Sequence, residues 1–252
     1  MNANQFRTIH IVPGEFEGVI KKLNPYEVKI DQAKQSLAVN HPSWDQARDM
    51  RYTVFSKLKN VIASTALSLL YLERYMADKK WWSTWRTIPT SDLDWTIHIV
   101  EYHQFTKQGF VHISYSNVEA ALRSYVRAID PRACSGGAAE FKSIYEHLYR
   151  TRLAVGTDGI QLLDVLRLLR NTIHNGGVYV SRAGTSETLQ YAGRTFEFEH
   201  AKVIRFADWD TLAMLMTDVV ELIIKTVEDS VIADIAAIED PTAGTLPPLV
   251  NS

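Results

Sequence analysis

The sequence predicts a mainly α-helical fold: a helical bundle with a small β-hairpin inserted ahead of the last long helix. Three observations carry that expectation. Apolar residues recur every three or four positions along most of the chain, stretches of this period are cut by Asp130-Pro131 and Asn175-Gly176-Gly177, and alternation is concentrated around residues 188–198. Hydrophobic residues make up 46% of the 252 positions, which is enough for a substantial buried core.

Residues 1 to about 43 carry apolar alternation at Ile9, Ile11 and Val12, then Pro13-Gly14, Pro25 and Pro42, and read as irregular with a short strand and a short helix. Ser43 then N-caps a long amphipathic helix that reaches about Met76 through Val54, Phe55, Leu58, Val61, Ile62, Leu69 and Leu70. Three tryptophans, Trp81, Trp82 and Trp85, interrupt the pattern beside Lys79, Lys80 and Arg86. Such residues can stack bases and hold phosphates, but covering a helix end or a subunit contact is the simpler use. Ser91 to about Gln104 predicts a further helix capped at Ser91 or Asp92, Gly109 a break or kink, and Val111–Ile129 a helix with an apolar stripe through Val111, Tyr115, Val118, Leu122 and Tyr125 and an i,i+4 pair at Glu119 and Arg123.

Beyond Asp130-Pro131, the residues Cys134-Ser135-Gly136-Gly137 predict a turn, Ala138 to about Leu153 a helix, and Gly156–Gly159 a second turn. From Ile160 the apolar positions Leu162, Leu163, Leu166, Leu169 and Ile173 define an amphipathic helix that Asn175-Gly176-Gly177 ends, with Asn175 as the left-handed residue. Val178–Val180 reads as a short strand, Thr188–Phe198 as a hairpin turning at Ala192-Gly193-Arg194, and Trp209 to about Ile238 as a long helix capped by Asp208. Pro241, Gly244, Pro247 and Pro248 predict a disordered tail. The organisation expected is an N-terminal helical extension over 1–90 packed on a bundle over 91–240, followed by the tail at 241–252.

Twenty-seven Lys and Arg against 29 Asp and Glu leave a formal charge of −2, so any site for a polyanion must be local. The single cysteine, Cys134, rules out an intramolecular disulfide and has no histidine partner in sequence to make it a nucleophile. The opening residues lack the apolar run of a signal peptide, and Val61–Leu72 falls short of the roughly 20 residues that cross a bilayer, so no membrane anchor and a cytoplasmic location are expected. His98 has helical spacing to Glu101, but His103 falls on another face and His112 lies beyond Gly109, so no metal set is predicted. Gly136-Gly137 and Gly156-Thr157-Asp158-Gly159 lack the setting and the lysine of a P-loop, and no cofactor is implied.

The chemically suggestive segment runs from Leu166 to Asn175. At about 100° per residue, Arg167 and His174 are two turns and about 20° apart, and Arg170 and His174 one turn and about 40° apart. Two guanidinium groups and an imidazole therefore share a helix face. Such a face suits attack by a ribose 2′-hydroxyl on the adjacent phosphate, because histidine moves protons near neutral pH and arginine neutralises charge growing on phosphate oxygens. Asn171 can hydrogen-bond a phosphate or orient the attacking group. Basic residues also end helices for ordinary reasons, the dipole and the exposed carbonyls.

The run Arg170-Asn171-Thr172-Ile173-His174-Asn175 at a helix end, after the amphipathic helix Asn117–Ile129, resembles the HEPN superfamily (higher eukaryote and prokaryote nucleotide-binding domains) over roughly residues 109–238. The resemblance implies a helical bundle and a metal-independent endoribonuclease of the toxin, anti-phage or RNA-processing kind. Its signature is an arginine, commonly followed by a polar residue, then four to six residues and a histidine. Arg170 has the adjacent asparagine but three residues before His174; Arg167 has six but is followed by Leu168, so both stay candidates. By the same resemblance Asn175, Arg123 and Glu119 contact RNA. It also implies a homodimer in which two motif helices share one cleft holding four arginines and two histidines, and a controlling antitoxin or regulatory partner. The alternatives are a non-catalytic module that binds RNA, a nucleotide or a protein partner through the same helix end, and a helical interaction domain whose cluster only caps its helix.

Overall fold

A computed structural model describes residues 15–84, 91–134, 140–153 and 157–244. The fold class is as expected: eight α-helices and two small antiparallel sheets among those residues. The strand expected near Ile9, the side chains of Trp85 and Arg86, Ser135–Gly137 and the tail from residue 245 lie outside the described residues.

The N-terminal region is where the structure departs most from expectation. Instead of an irregular segment, α1 spans Glu15–Asn40. Its buried residues Phe16, Val19, Leu23, Tyr26, Ile30, Ala33 and Leu37 repeat in alternating steps of three and four, a seam that packs on α2 and α7. Pro25 lies within this helix, but it and Lys21, whose carbonyl loses its partner, are exposed, so water can replace the missing bond. A continuous apolar seam outweighs one solvent-facing proline.

Helix α2 (Met50–Tyr71) starts six residues later than Ser43 predicts, because Asp49 provides the cap through its side-chain bond to the Arg51 amide. It continues into a π-turn, Leu72–Met76, and then α3 (Lys79–Ser83). The tryptophans serve this corner: Trp82 is buried, and the indoles of Trp82 and Trp95 both donate to the Met76 carbonyl, at 2.8 and 3.0 Å. Gly109 does not break the next helix, since α4 runs unbroken over Asp92–Ile129. One glycine in a helix costs about 1 kcal/mol, less than the burial of its neighbours Phe110 and Val111 returns.

Helix α5 (Phe141–His147) passes into a second π-turn, Leu148–Arg152. Helix α6 (Thr157–Ile173) takes in Thr157–Gly159, which the sequence reads as a turn. Gly159 is suited to this place because a Cβ there would lie 2.7 Å from Leu222 Cδ1 on the neighbouring helix. Strands β1 (Val178–Tyr179), β2 (Glu187–Tyr191), β3 (Arg194–Phe198) and β4 (Lys202–Val203) follow. The expected hairpin is β2–β3, turning at Ala192 and Gly193, both with positive φ, and the unforeseen pairing of β1 with β4 closes its base. Helix α7 (Trp209–Glu228), capped by Asp208 as expected, stops ten residues short of Ile238, because Asp229 leaves the helix and caps α8 (Ser230–Ala233). The start of the predicted disordered tail is ordered: buried Asp240 accepts from Thr53 and Lys57, and Thr242 bonds back to it.

Helices from 1–90 and 91–240 share one core cluster. Helix α2 packs along α4, and α1 along α7. The two ends of this frame meet at Arg51, which is fully buried. It pairs with Asp49 at 2.6 Å, donates to the carbonyls of Ile232, Ala233 and Ile235, and lies 3.9 Å from the Trp44 ring centroid. Removing one partner of such a buried pair costs about 3–5 kcal/mol. Arg51→Met is expected to lower stability by about that amount in urea denaturation. A loss below about 1 kcal/mol would show that the junction tolerates its absence.

Candidate functional site

The C-terminal end of α6 is shaped by its last turn. Thr172 is fully buried and bonds the Leu169 carbonyl; the amides of Asn175 and Gly177 return to Thr172 O, and that of Gly176 to Ile173 O. The positive φ angles belong to Gly176 (65°) and Gly177 (86°), not to Asn175 as predicted. Asn175 instead caps the helix by donating its side-chain amide to Asn171 O at 3.1 Å. With Asn175 and the glycines closing the helix, His174 is left over from the capping and is exposed.

The seven residues singled out in the sequence, Arg167, Arg170, Asn171, His174, Asn175, Glu119 and Arg123, all line one open cleft of about 640 Å³. Helix α6 forms one wall and α4, with the start of α5, another; the loop after β1 forms the rim. The lining holds five Arg and Lys side chains, with Lys142 and Arg182 added, against three glutamates, so the local charge is positive on a chain that is slightly negative overall. Tyr115, which the sequence places only in an apolar stripe, and Phe141 form its aromatic floor, their rings edge-to-face at 5.2 Å.

The two candidate arginines differ in their surroundings. Arg167 is committed within the protein: its guanidinium bonds Asp164 Oδ1 at 3.1 Å, and its Nε lies 3.3 Å from the Tyr145 hydroxyl. Tyr145 in turn donates to Asp164 at 2.7 Å, and burial followed by that carboxylate pushes its phenol pKa well up. Arg123 is likewise held, by Glu119 at 2.6 Å. Arg170 has no carboxylate partner among the described residues. Its Nη1 reaches only Asn171 Oδ1 at 3.4 Å, its buried Nε has no acceptor, and it stands 6.0 Å above the Tyr115 ring. A guanidinium with an unused buried donor is poised to take an anion. None of the Asp164 and Tyr145 shell was legible in the sequence, although Asp164 sits three residues before Arg167, a spacing that signals an ion pair.

His174 lies one helical turn from Arg170, and its ring meets that of His112 edge-on at 5.4 Å. Partial desolvation, then the Arg170 charge and then His112 lower its pKa below the ordinary 6.5, which favours a neutral imidazole at pH 7. The other histidines go elsewhere: His98 stacks on Trp82, and His103 accepts from Trp209 Nε1 at 2.8 Å, its pKa pushed down to about 4 by burial and by Lys107. Among the described residues no group of three or more His, Cys, Asp or Glu side chains is placed to hold a metal ion, and no helix is long and apolar enough to cross a membrane. Cys134, half-buried, has its Sγ 3.9 Å from the Arg123 carbonyl.

No family model matches the chain, and no curated protein or solved structure matches it.

The electrostatics of the pair can be read directly. His174 is expected to titrate below 6.5 in a histidine NMR titration, and Arg170→Gln to move it upward, because the nearest like charge is gone. An unchanged His174 titration in that variant would show that the two side chains do not sense one another.

Proposed function

We propose that the cleft is the active site of a HEPN-like endoribonuclease of the toxin or anti-phage kind, which cleaves RNA without a metal ion. One observation carries this reading: Arg170, a cation with no carboxylate partner among the described residues and an unused buried donor, shares an open cleft and a helix face with exposed, proton-poor His174. His174 takes the proton from a ribose 2′-hydroxyl as its oxygen attacks the neighbouring phosphorus. The bond to the 5′-oxygen breaks, leaving a 2′,3′-cyclic phosphate and a 5′-hydroxyl, whose proton comes from the imidazolium or from water. Arg170 neutralises the charge that grows on the non-bridging oxygens, and Asn171 and Asn175 hold the phosphate. Arg167, tied to Asp164 and Tyr145, stiffens the wall rather than contacting the phosphate.

In a paired assembly two such helix ends face one another and lengthen the track for a strand, with an antitoxin or regulatory protein covering it. A non-catalytic role in RNA or nucleotide binding has one feature in its favour. His174 has no hydrogen-bond partner among the described residues to fix its ring, and general bases are usually oriented by a second group.

The test is cleavage of total RNA by the purified chain in the presence of a chelator. His174→Ala is expected to lower the rate by about 10²–10⁴-fold and Arg170→Gln by about 10²–10³-fold, with normal folding. Arg167→Gln should act mainly through stability. In the wild type the rate rises with pH through a midpoint below 6.5, where the imidazole loses its proton. RNA binding without cleavage, unchanged by His174→Ala, would select the binding role.

A further inference from the structure

On the opposite side of the α6 terminus lies a second cavity of about 500 Å³, walled by α4, the end of α6 and the segment Val203–Ala207 that leads into α7. Its character is unlike that of the cleft. Its accessible apolar surface comes from half-buried Ile173, Ile204 and Ala207 and exposed Val203, while Val111, Leu169 and Leu212, which also line it, are almost fully buried. Two cations line it, half-buried Lys107 and exposed Arg205, against one exposed glutamate, Glu101, and among the described residues neither cation has a carboxylate within ion-pairing distance. The amide of Gln108, one residue on from Lys107 and also half-buried, has no hydrogen-bond partner among the described residues.

We propose that this groove is a second ligand site, taking a small organic anion whose acidic head meets Lys107 and Arg205 and whose apolar body lies on Ile173, Val203, Ile204 and Ala207. Charge complementarity decides the head. The ammonium is partly stripped of water, which lowers its pKa, and the Asp208 charge offsets this only in part; an anion beside it restores the missing stabilisation. The apolar surface decides the body, since a bare inorganic anion would leave that floor wet. The Gln108 amide can hold a second oxygen of the head. Because Thr172, Ile173, Gly176 and Gly177 line this groove while Asn171, His174 and Asn175 line the cleft, an occupant touches the same helix end from behind. Binding here does not require that the cleft cut RNA.

The experiment is calorimetric titration of the full chain with phenyl phosphate, octanoate, octanol and inorganic phosphate, with backbone amide NMR to place any binding. The expected result is that phenyl phosphate, octanoate or both bind the wild type and Arg170→Gln alike, and bind Lys107→Met at least about tenfold more weakly. The shifted amides are expected at Thr172–Gly177 and at 203–207. Octanol and inorganic phosphate should each bind at least about tenfold more weakly than the organic anion that resembles them. The proposal is overturned if neither organic anion binds, if Arg170→Gln rather than Lys107→Met abolishes binding, or if octanol or inorganic phosphate binds as tightly. Should Lys107→Met not fold, Lys107→Gln and Arg205→Gln take its place, and shifted amides confined to the cleft overturn the proposal whatever the affinity.

Discussion

Arg51 sits fully buried where the N-terminus of α2 meets the end of α8, and the frame that carries the cleft is hung from that junction. A guanidinium out of water is costly unless its donors are matched, and here Asp49 and three main-chain carbonyls match them. Asp49 does three things at once: it caps α2, pairs with Arg51 and accepts from the Ile238 amide. The same spot takes hold of α4, because the fully buried Tyr125 donates to the Met50 carbonyl at 3.2 Å. Back along α4, from about half a turn to nearly three turns away, stand Arg123, Glu119 and Tyr115, one wall of the cleft. A polar node outside the cleft thus holds the helix on which one of its walls is mounted.

The cleft shows how a chain with a small negative charge can hold a place for an anion. Glu119 and Asp164 each occupy one arginine, so Arg123 and Arg167 are ordered parts of the wall whose charge is largely spent. Arg170 and, on the rim, exposed Arg182 are the lining cations without a carboxylate partner among the described residues, and Arg170 is kept half out of water beside Tyr115. Its neighbour His174 then pays the electrostatic consequence, since a second positive charge one turn away is disfavoured. The α6 carbonyls beneath them are already taken by Asn175, Gly176 and Gly177, so neither group is drawn down to cap the helix.

Much of this was legible because it depends on local pattern. The α6 face, its glycine stop, the Asp208 cap and the hairpin turn are set by residues near one another in sequence, and the structure has them where periodicity and turn chemistry put them. Where local pattern misleads, burial outweighs a punctuation residue. Pro25 hid α1 although its apolar positions keep an unbroken three-four step, and Gly109 split a helix that its buried neighbours hold together. Gly159 marks a close approach to Leu222 rather than a turn, which no local pattern announces. At the site, the α6 spacing put Arg167, Arg170 and His174 on one face, but which arginine is free depends on Tyr145 and Asp164, a contact across 19 residues.

In the paired assembly proposed above, two chains meeting across this cleft would be constrained by the same electrostatics. Two uncompensated Arg170 cations about 10 Å apart repel by only about 0.4 kcal/mol through water, and salt reduces this further, so like charge does not forbid the assembly. It does nothing to favour it either, and the polar lining offers little apolar area to be buried. What does favour closure is a ligand carrying negative charge into the gap, which turns a weak repulsion into two attractions at once. In such an arrangement the polyanion is part of the interface. Association of the chains and binding of the strand are then linked, each strengthening the other by the same free energy.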